Sequence, residues 1–410
     1  MENNPLSVYG KPVKEYRGEG VLLLKDGTEI SCSFIAGQLS DGDIRLLCEP
    51  CPNNKFTLST KIIDNCSFSG ITQEGHRIWS TDSIIWLPNN HSLFAFMLKE
   101  LILETGSLES VQKVIFYIDN FEFYGNTDHK SCLTLTLPEL HEVKIVRVKD
   151  YDAVISNIHI VRGIDITSEM VFEISQEQTI PQLEMNASEL CLMMSLCRGT
   201  RVQWIYYEIV NGIDDVIYRA HHDTITRSFT TVSAIIRPDL FGIDDTKKFL
   251  ETSYSRLCSN PNLRAIVFRL TNSYVDAKEH GFMETRGIKN AVACEIIKNY
   301  TLSITNHDKT HRPPFKAIIK ETCENVELPV NDITLSLLTA SRNHLIHEGK
   351  FYTESASERE RRRLPPLESD FAELLFIQNF LDRMMLRLFG YHGNYISCRD
   401  PENLEKNDTI

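Results

Sequence analysis

The apolar residues of this chain change period once, near Gly242, and that change limits the fold more than any single motif. Before it, short apolar runs are separated by turn residues, at 20–24, 30–35, 44–48, 114–118, 133–137, 143–148, 202–210 and 216–219. Lys25-Asp26-Gly27-Thr28 sets Asp-Gly at the centre of a hairpin turn between the first two runs. In 143–148 and just beyond, Val143, Ile145 and Val148 interleave with Lys144, Arg147 and Lys149, the mixture expected of a half-exposed strand. Two helices are expected to interrupt the strands: 92–104, with Phe94, Met97, Leu101 and Leu103, and 187–196.

After Gly242 the stripes are helical. Ile243-Asp244-Asp245 offers an N-cap to a helix over 247–257 that carries Phe249, Leu250, Tyr254 and Leu257. Pro261 opens the next, with Leu263, Ile266, Val267, Leu270 and Tyr274 on one face. Further helices are expected over 283–300, 332–347 and 370–389; the last carries Leu374, Ile377, Leu381, Met384 and Leu388 and stops at Gly390. The expectation is an α+β chain, with a β-rich domain over 1–240 followed by an all-α domain over 241–410 built as an up-and-down bundle of about five helices.

Composition narrows the function classes. The 410 residues suggest two or three domains, and 42% hydrophobic with 24% charged residues is the balance of a soluble globular protein. No run approaches the roughly 20 apolar residues that span a bilayer. Met1-Glu2-Asn3-Asn4-Pro5 lacks the basic start and apolar run of a signal peptide, so a cytoplasmic location without membrane contact is expected. The 11 scattered cysteines suit buried thiols in a reducing compartment. Cys48 and Cys51 form the sole CxxC pair; with Cys32 or Cys66 they make at most a partial zinc set, so zinc and two loop cysteines both stay open. A net charge of −13 argues against a general nucleic-acid coat, though not against an enzyme with a local basic site.

The segment that carries chemistry is Ser341-Arg342-Asn343-His344-Leu345-Ile346-His347-Glu348-Gly349. Asn343 and His347 are i, i+4 neighbours, a spacing at which the amide can orient the imidazole. Arg342 lies roughly 140° around the helix axis from His347 and reaches a shared pocket by its length. Gly349 ends the helix just after the histidine, where the dipole favours positive charge. These groups meet the needs of RNA cleavage without a metal. The RNA supplies its 2′-OH as nucleophile, an imidazole moves the proton, and a guanidinium neutralises the phosphorane. One chain offers one Arg–His set, and two copies would offer two histidines, one as base and one as acid. The plain alternative is that Arg and His at a helix end merely complement its dipole.

Arg-Asn-x3-His in a late helix of an all-α domain resembles the signature of HEPN domains. Glu284-Thr285-Arg286 followed by Ala291-Val292-Ala293-Cys294-Glu295 is similar to the Glu-Ser-Arg and Ala-Leu-Glu pattern in the HEPN domains of ApeA-like anti-phage proteins. Residues 263–277 and 370–390 resemble the helices before and after it in those proteins. Residues 20–49, Phe68-Ser69-Gly70-Ile71-Thr72-Gln73-Glu74-Gly75 and 190–207 look like parts of the ApeA N-terminal region. The resemblance implies an endoribonuclease, without cofactor, whose composite site forms at a HEPN homodimer interface, with higher oligomers open. It implies that Arg342 and His347 are catalytic, that Asn343 is the polar residue between them, and that Glu295 positions Arg342 through a salt bridge. It also implies abortive defence against phage by cutting host RNA or tRNA, with an N-terminal domain that senses a trigger such as a phage protein.

Several features are left open. His344 is either a second proton carrier or a surface residue. Arg359, Arg361, Arg362 and Arg363 either grip RNA phosphates or sit in a solvated loop. His221-His222-Asp223 and His307-Asp308-x2-His311 hold metal-ligating types in expected loops, without a spacing that fixes a site. No phosphate-cradling glycine loop and no Gly-x-Ser-x-Gly elbow occurs. The competing functions are a HEPN module that binds RNA or protein without cutting, and a metal-dependent hydrolase using the His221 cluster.

Overall fold

A computed structural model describes the chain except for residues 1–4, 52–65, 82–84, 88–93, 109–110, 124–131, 149–162, 175–177, 225–233, 237–242, 280, 306–312, 366, 399–403 and 407–410. It is α+β, with strands filling the N-terminal part and helices the C-terminal part. The described residues form two compact units. One comprises Met1–Asp119, Ile160–Leu183 and Trp204–Ser228, the other Asn120–His159, Glu184–Gln203 and Phe229–Ile410. The division is therefore not a single cut at residue 240.

The first unit is built on β1 (Pro12–Leu23), β2 (Glu29–Leu39), β3 (Ile44–Pro50), β4 (Ser67–Thr72), β5 (Arg77–Ser80), β6 (Ile85–Leu87), β7 (Phe94–Leu98), β8 (Glu100–Glu104) and β9 (Val111–Asp119). The next two strands, β10 (Cys132–Leu137) and β11 (His141–Arg147), form an antiparallel hairpin in the other unit. The sheet of the first unit is completed by β12 (Ile166–Glu173), β13 (Gln203–Asn211) and β14 (Val216–His222). Its strand order is β12-β9-β13-β14-β8-β5-β4-β1-β2-β3-β7-β6. The expected hairpin turn is present: Asp26 Oδ1 accepts from the Thr28 amide at 2.9 Å, and Gly27 takes a φ of 85°, which a Cβ would strain. Along β2, Ile30, Cys32, Phe34 and Ala36 alternate inward and join Leu22, Leu46 and Phe68 in one core.

The helix expected over 92–104 is instead two strands, β7 and β8. Phe94, Met97 and Leu101 match a helical stripe, but Ala95, Phe96, Leu98, Leu101, Ile102 and Leu103 are also buried. β7 lies between β3 and β6, and β8 between β14 and β5. A strand buried on both faces yields the same continuous apolar run as a buried helix segment.

The helical unit holds α1 (Ile180–Arg198) from Glu184 onward, then α2 (Ile243–Ser259), α3 (Pro261–Lys278), α4 (Met283–Ile304), α5 (Phe315–Asn325), α6 (Asp332–Glu348), the short α7 (Tyr352–Ser355) and α8 (Glu358–Arg361), and α9 (Asp370–Leu388). α1 contains the expected 187–196 helix and extends it; it belongs with the bundle through Asn186, which accepts from the Tyr254 hydroxyl, and Glu189, which pairs with Arg264 at 2.5 Å. α5 was not among the expected helices. The caps are local and strong: Asn260 accepts from the Leu263 amide ahead of Pro261, and Ser369 from the Ala372 amide. α9 is buried almost all round and acts as the central helix. It carries Asp382, fully buried, which accepts from Tyr274 at 2.5 Å and pairs with Lys278 at 2.9 Å. It also carries Glu373, whose carboxylate accepts from the Tyr352 and Thr353 amides and so caps α7. Among the described residues no helix is long and apolar enough to cross a membrane.

Candidate functional site

α6 carries the Arg-Asn-x3-His segment between well-defined ends. Asn331 caps its start by accepting from the Thr334 amide at 2.8 Å, and Gly349 closes it in the left-handed region at φ 71°. Leu337, Leu338, Ser341, His344 and Leu345 form its buried face. α4 packs antiparallel against it, with Gly287 at Leu345 and Glu295 at Arg342. At Gly287 the approach is so close that a Cβ would lie 2.8 Å from Leu345 Cδ2 and 3.0 Å from the Phe351 ring.

Arg342 is held on three sides. Its Nη2 lies 2.6 Å from Glu295 Oε1, its Nη1 donates to Asn343 Oδ1 at 2.7 Å, and its guanidinium stands 5.3 Å from the centre of the Phe315 ring. The other oxygen of Glu295 pairs with Lys298, so one carboxylate bridges two cations. Both partners of the Arg342–Glu295 pair are mostly shielded, with side chains 16% and 22% exposed, which strengthens the contact relative to a surface pair. The salt bridge expected of Glu295 is thus present. Asn343 differs from expectation, since its amide engages Arg342 and, among the described residues, makes no bond to His347. His347 itself is exposed in the last turn, with no partner among the described residues.

His344 is neither on the surface nor free. It is buried, with Nδ1 2.7 Å from Ser355 Oγ and 3.1 Å from Glu348 Oε1, Nε2 3.3 Å from Glu360 Oε1, and the Tyr352 ring against its edge. Its position on the stripe with Leu337, Ser341 and Leu345 was the available signal. Glu360 also closes a capping box with Ser357, and those hydrogen bonds hold its carboxyl down at about 2. His344 therefore ties the end of α6 to α8. Arg359, Arg361, Arg362 and Arg363, on and just after α8, are all exposed. Arg361 donates to the Thr353 carbonyl at 3.2 Å and Arg362 pairs with Glu358, so part of this cationic surface is fixed in place.

Sequence reasoning missed Phe315, which supports the guanidinium from α5. The signal was the stripe Phe315, Ile318, Ile319, Thr322 and Cys323, at i, i+3, i+4, i+7 and i+8.

The histidine cluster of the first unit is not placed as expected. His221 and His222 lie in β14 rather than a loop. Both ring nitrogens of His221 are occupied, 2.9 Å from Tyr16 Oη and 2.9 Å from Gln38 Oε1, which leaves none for a metal. Cys48 is buried in the sheet core beside Cys32 and Cys66, whereas Cys51 is exposed, so the CxxC pair is split between core and surface. Among the described residues no three potential metal ligands gather. The His307–His311 segment lies outside the described residues.

No family model, curated protein or solved structure matches the chain. The likeness to HEPN domains thus stands on Arg342, Asn343, His347 and Glu295 and on their arrangement.

Proposed function

We propose that the helical unit is a metal-independent endoribonuclease of HEPN type. The observation that supports this reading is the pairing of a clamped guanidinium with an open imidazole on one helix end. Arg342 is preset by Glu295, Asn343 and Phe315, while His347 is exposed five residues later. In the reaction, His347 takes the 2′-OH proton and the new O–P bond closes a 2′,3′-cyclic phosphate. Arg342 neutralises the charge that builds on the phosphorane, and the 5′-oxygen leaves with a proton. The proton donor is a second His347, from another copy of the chain docked through this unit. The arginines after α6 supply phosphate contacts. In this reading the protein acts in the cytoplasm, cutting host RNA or tRNA in defence against phage, and the β-rich unit receives the trigger. A second reading, a module that holds RNA or protein without cutting, draws on the engagement of Arg342 by Glu295 and Asn343.

Total cellular RNA incubated in excess EDTA with wild type, His347→Ala and Arg342→Ala separates the readings. The enzyme reading expects cyclic-phosphate ends from wild type and none from either variant. Intact RNA with every protein, presumed trigger included, would favour the binding module. Cleavage that survives both substitutions or disappears with EDTA would place the chemistry elsewhere.

A further inference from the structure

One part of the core-facing side of the sheet is charged rather than apolar. Lys14 and Gln38 are partners across β1 and β2, and Tyr16 follows on the same face of β1. Tyr206 opposes His221, and Glu208 opposes Arg219, across β13 and β14. The two groups meet. Arg219 Nη1 donates to Tyr16 Oη at 3.0 Å, the Tyr16 hydroxyl donates to His221 Nε2, and His221 Nδ1 donates to Gln38 Oε1. The Gln38 amide passes on to the His222 carbonyl at 2.9 Å. Direction therefore runs one way along this chain and leaves His221 neutral, in agreement with burial, Arg219, Lys14 and His222 all holding its imidazole well below the ordinary range.

Charge is not balanced in the cluster. Glu208 accepts from Arg219 Nε at 2.7 Å and from Nη2, and its second oxygen accepts from the Tyr117 hydroxyl at 2.7 Å. Its charge is thus matched by Arg219. Lys14 stands half-buried beside them, within range of both charges, and makes no hydrogen bond or ion pair among the described residues. Burial first, and then the Arg219 charge, lower the Lys14 ammonium from its ordinary range. An ammonium turned toward a core, next to a guanidinium and without a counter-charge, is unfavourable until an anion joins it. Nη1 and Nη2 of Arg219 each retain one N–H beyond those used within the cluster.

We propose that Lys14, Arg219 and Tyr16 form a binding site for a small oxyanion, the carboxylate or phosphate group of a ligand, in the β-rich unit. Lys14 supplies the charge, Arg219 the directed N–H groups, and Tyr16 holds Arg219 in place. The site is independent of Arg342 and His347, so it stands or falls apart from any nuclease activity.

The test uses the full chain titrated with inorganic phosphate and, separately, with acetate. Two readouts are followed: thermal midpoint, and protection of the Lys14 amine from acylation, mapped by peptide mass spectrometry. At least one anion should raise the midpoint and slow Lys14 modification about tenfold at saturation. Preference for phosphate over acetate assigns a phosphate ligand; the reverse assigns a carboxylate. Lys14→Met should weaken binding by about tenfold, and Lys14→Arg should restore most of it. Unchanged binding in Lys14→Met would overturn the site. So would an unprotected Lys14 in wild type at saturating phosphate and acetate, a readout that needs no variant to fold.

Discussion

Substituting Glu295→Gln probes the contact on which the candidate site depends. The change keeps volume and removes the charge that faces Arg342 at 2.6 Å and Lys298 beside it. Exposed pairs are worth about 0.2–1 kcal/mol, and breaking a buried pair costs about 3–5 kcal/mol. With side chains 16% and 22% exposed, the Arg342–Glu295 pair falls between these limits, at roughly 1–3 kcal/mol. Denaturant unfolding of Glu295→Gln, Arg342→Gln and the double variant gives the coupling directly, since the pair energy is what fails to add. If the pair also presets Arg342 for a phosphorane, each 1.36 kcal/mol lost from the transition state is about tenfold in rate. Cleavage should then drop about 10- to 100-fold, chiefly in kcat. A coupling near zero would refute the energetic reasoning. A normal coupling with cleavage at the wild-type rate would make Glu295 a structural residue and remove it from the site.

Two further outcomes are expected. Gly287→Ala gains about 0.5–1 kcal/mol of helix propensity but sets a Cβ 2.8 Å from Leu345 and 3.0 Å from Phe351, both buried, so a net loss of about 1–2 kcal/mol should appear in denaturant melts; equal or higher stability would mean α4 and α6 separate freely. His221 is buried neutral, with its folded pKa depressed by burial and by Arg219, Lys14 and His222, so its contribution is full above the unfolded value near 6.5 and is lost as pH falls toward the folded value. Unfolding free energies at pH 7, 6 and 5 should therefore fall more steeply for wild type than for His221→Gln, by up to about 1.4 kcal/mol per pH unit, and parallel slopes would contradict this.

What the sequence disclosed and what it hid divide by distance along the chain. The turn at Asp26-Gly27, the caps at Asn260 and Asn331 with Pro261, and the stop at Gly349 depend on a few adjacent residues, so pattern alone places them. The strand pair β7–β8 misled because full burial erases the alternation that marks a half-exposed strand. α5 was passed over because it has only 11 residues and its stripe ends in Thr322 and Cys323, weak apolar markers. His344 drew two solvent-facing readings because histidine is read by its chemistry, whereas here its place on the apolar stripe decided its fate. The Lys14–Tyr16–His221–Arg219 cluster was out of reach, since Tyr16 and His221 lie 205 residues apart and only the register of four strands joins them.

The candidate site shows the same division in its chemistry. Arg342 is fixed by three contacts within the chain, from α4, α5 and its own helix, so the group that would answer phosphate charge is set before any RNA arrives. Such presetting is where electrostatic catalysis draws its advantage, because no reorganisation is needed as charge develops. His347 has no such restraint among the described residues. A proton carrier must alternate between taking and giving, and a bond to a fixed acceptor would bias it toward one state. An open imidazole beside a held guanidinium is half of an acid–base pair. The missing half has to come from outside this chain, and a second copy brings it with the same geometry. Specific activity should then fall on dilution below the dimer dissociation constant, where a site complete in one chain would keep a constant rate per molecule.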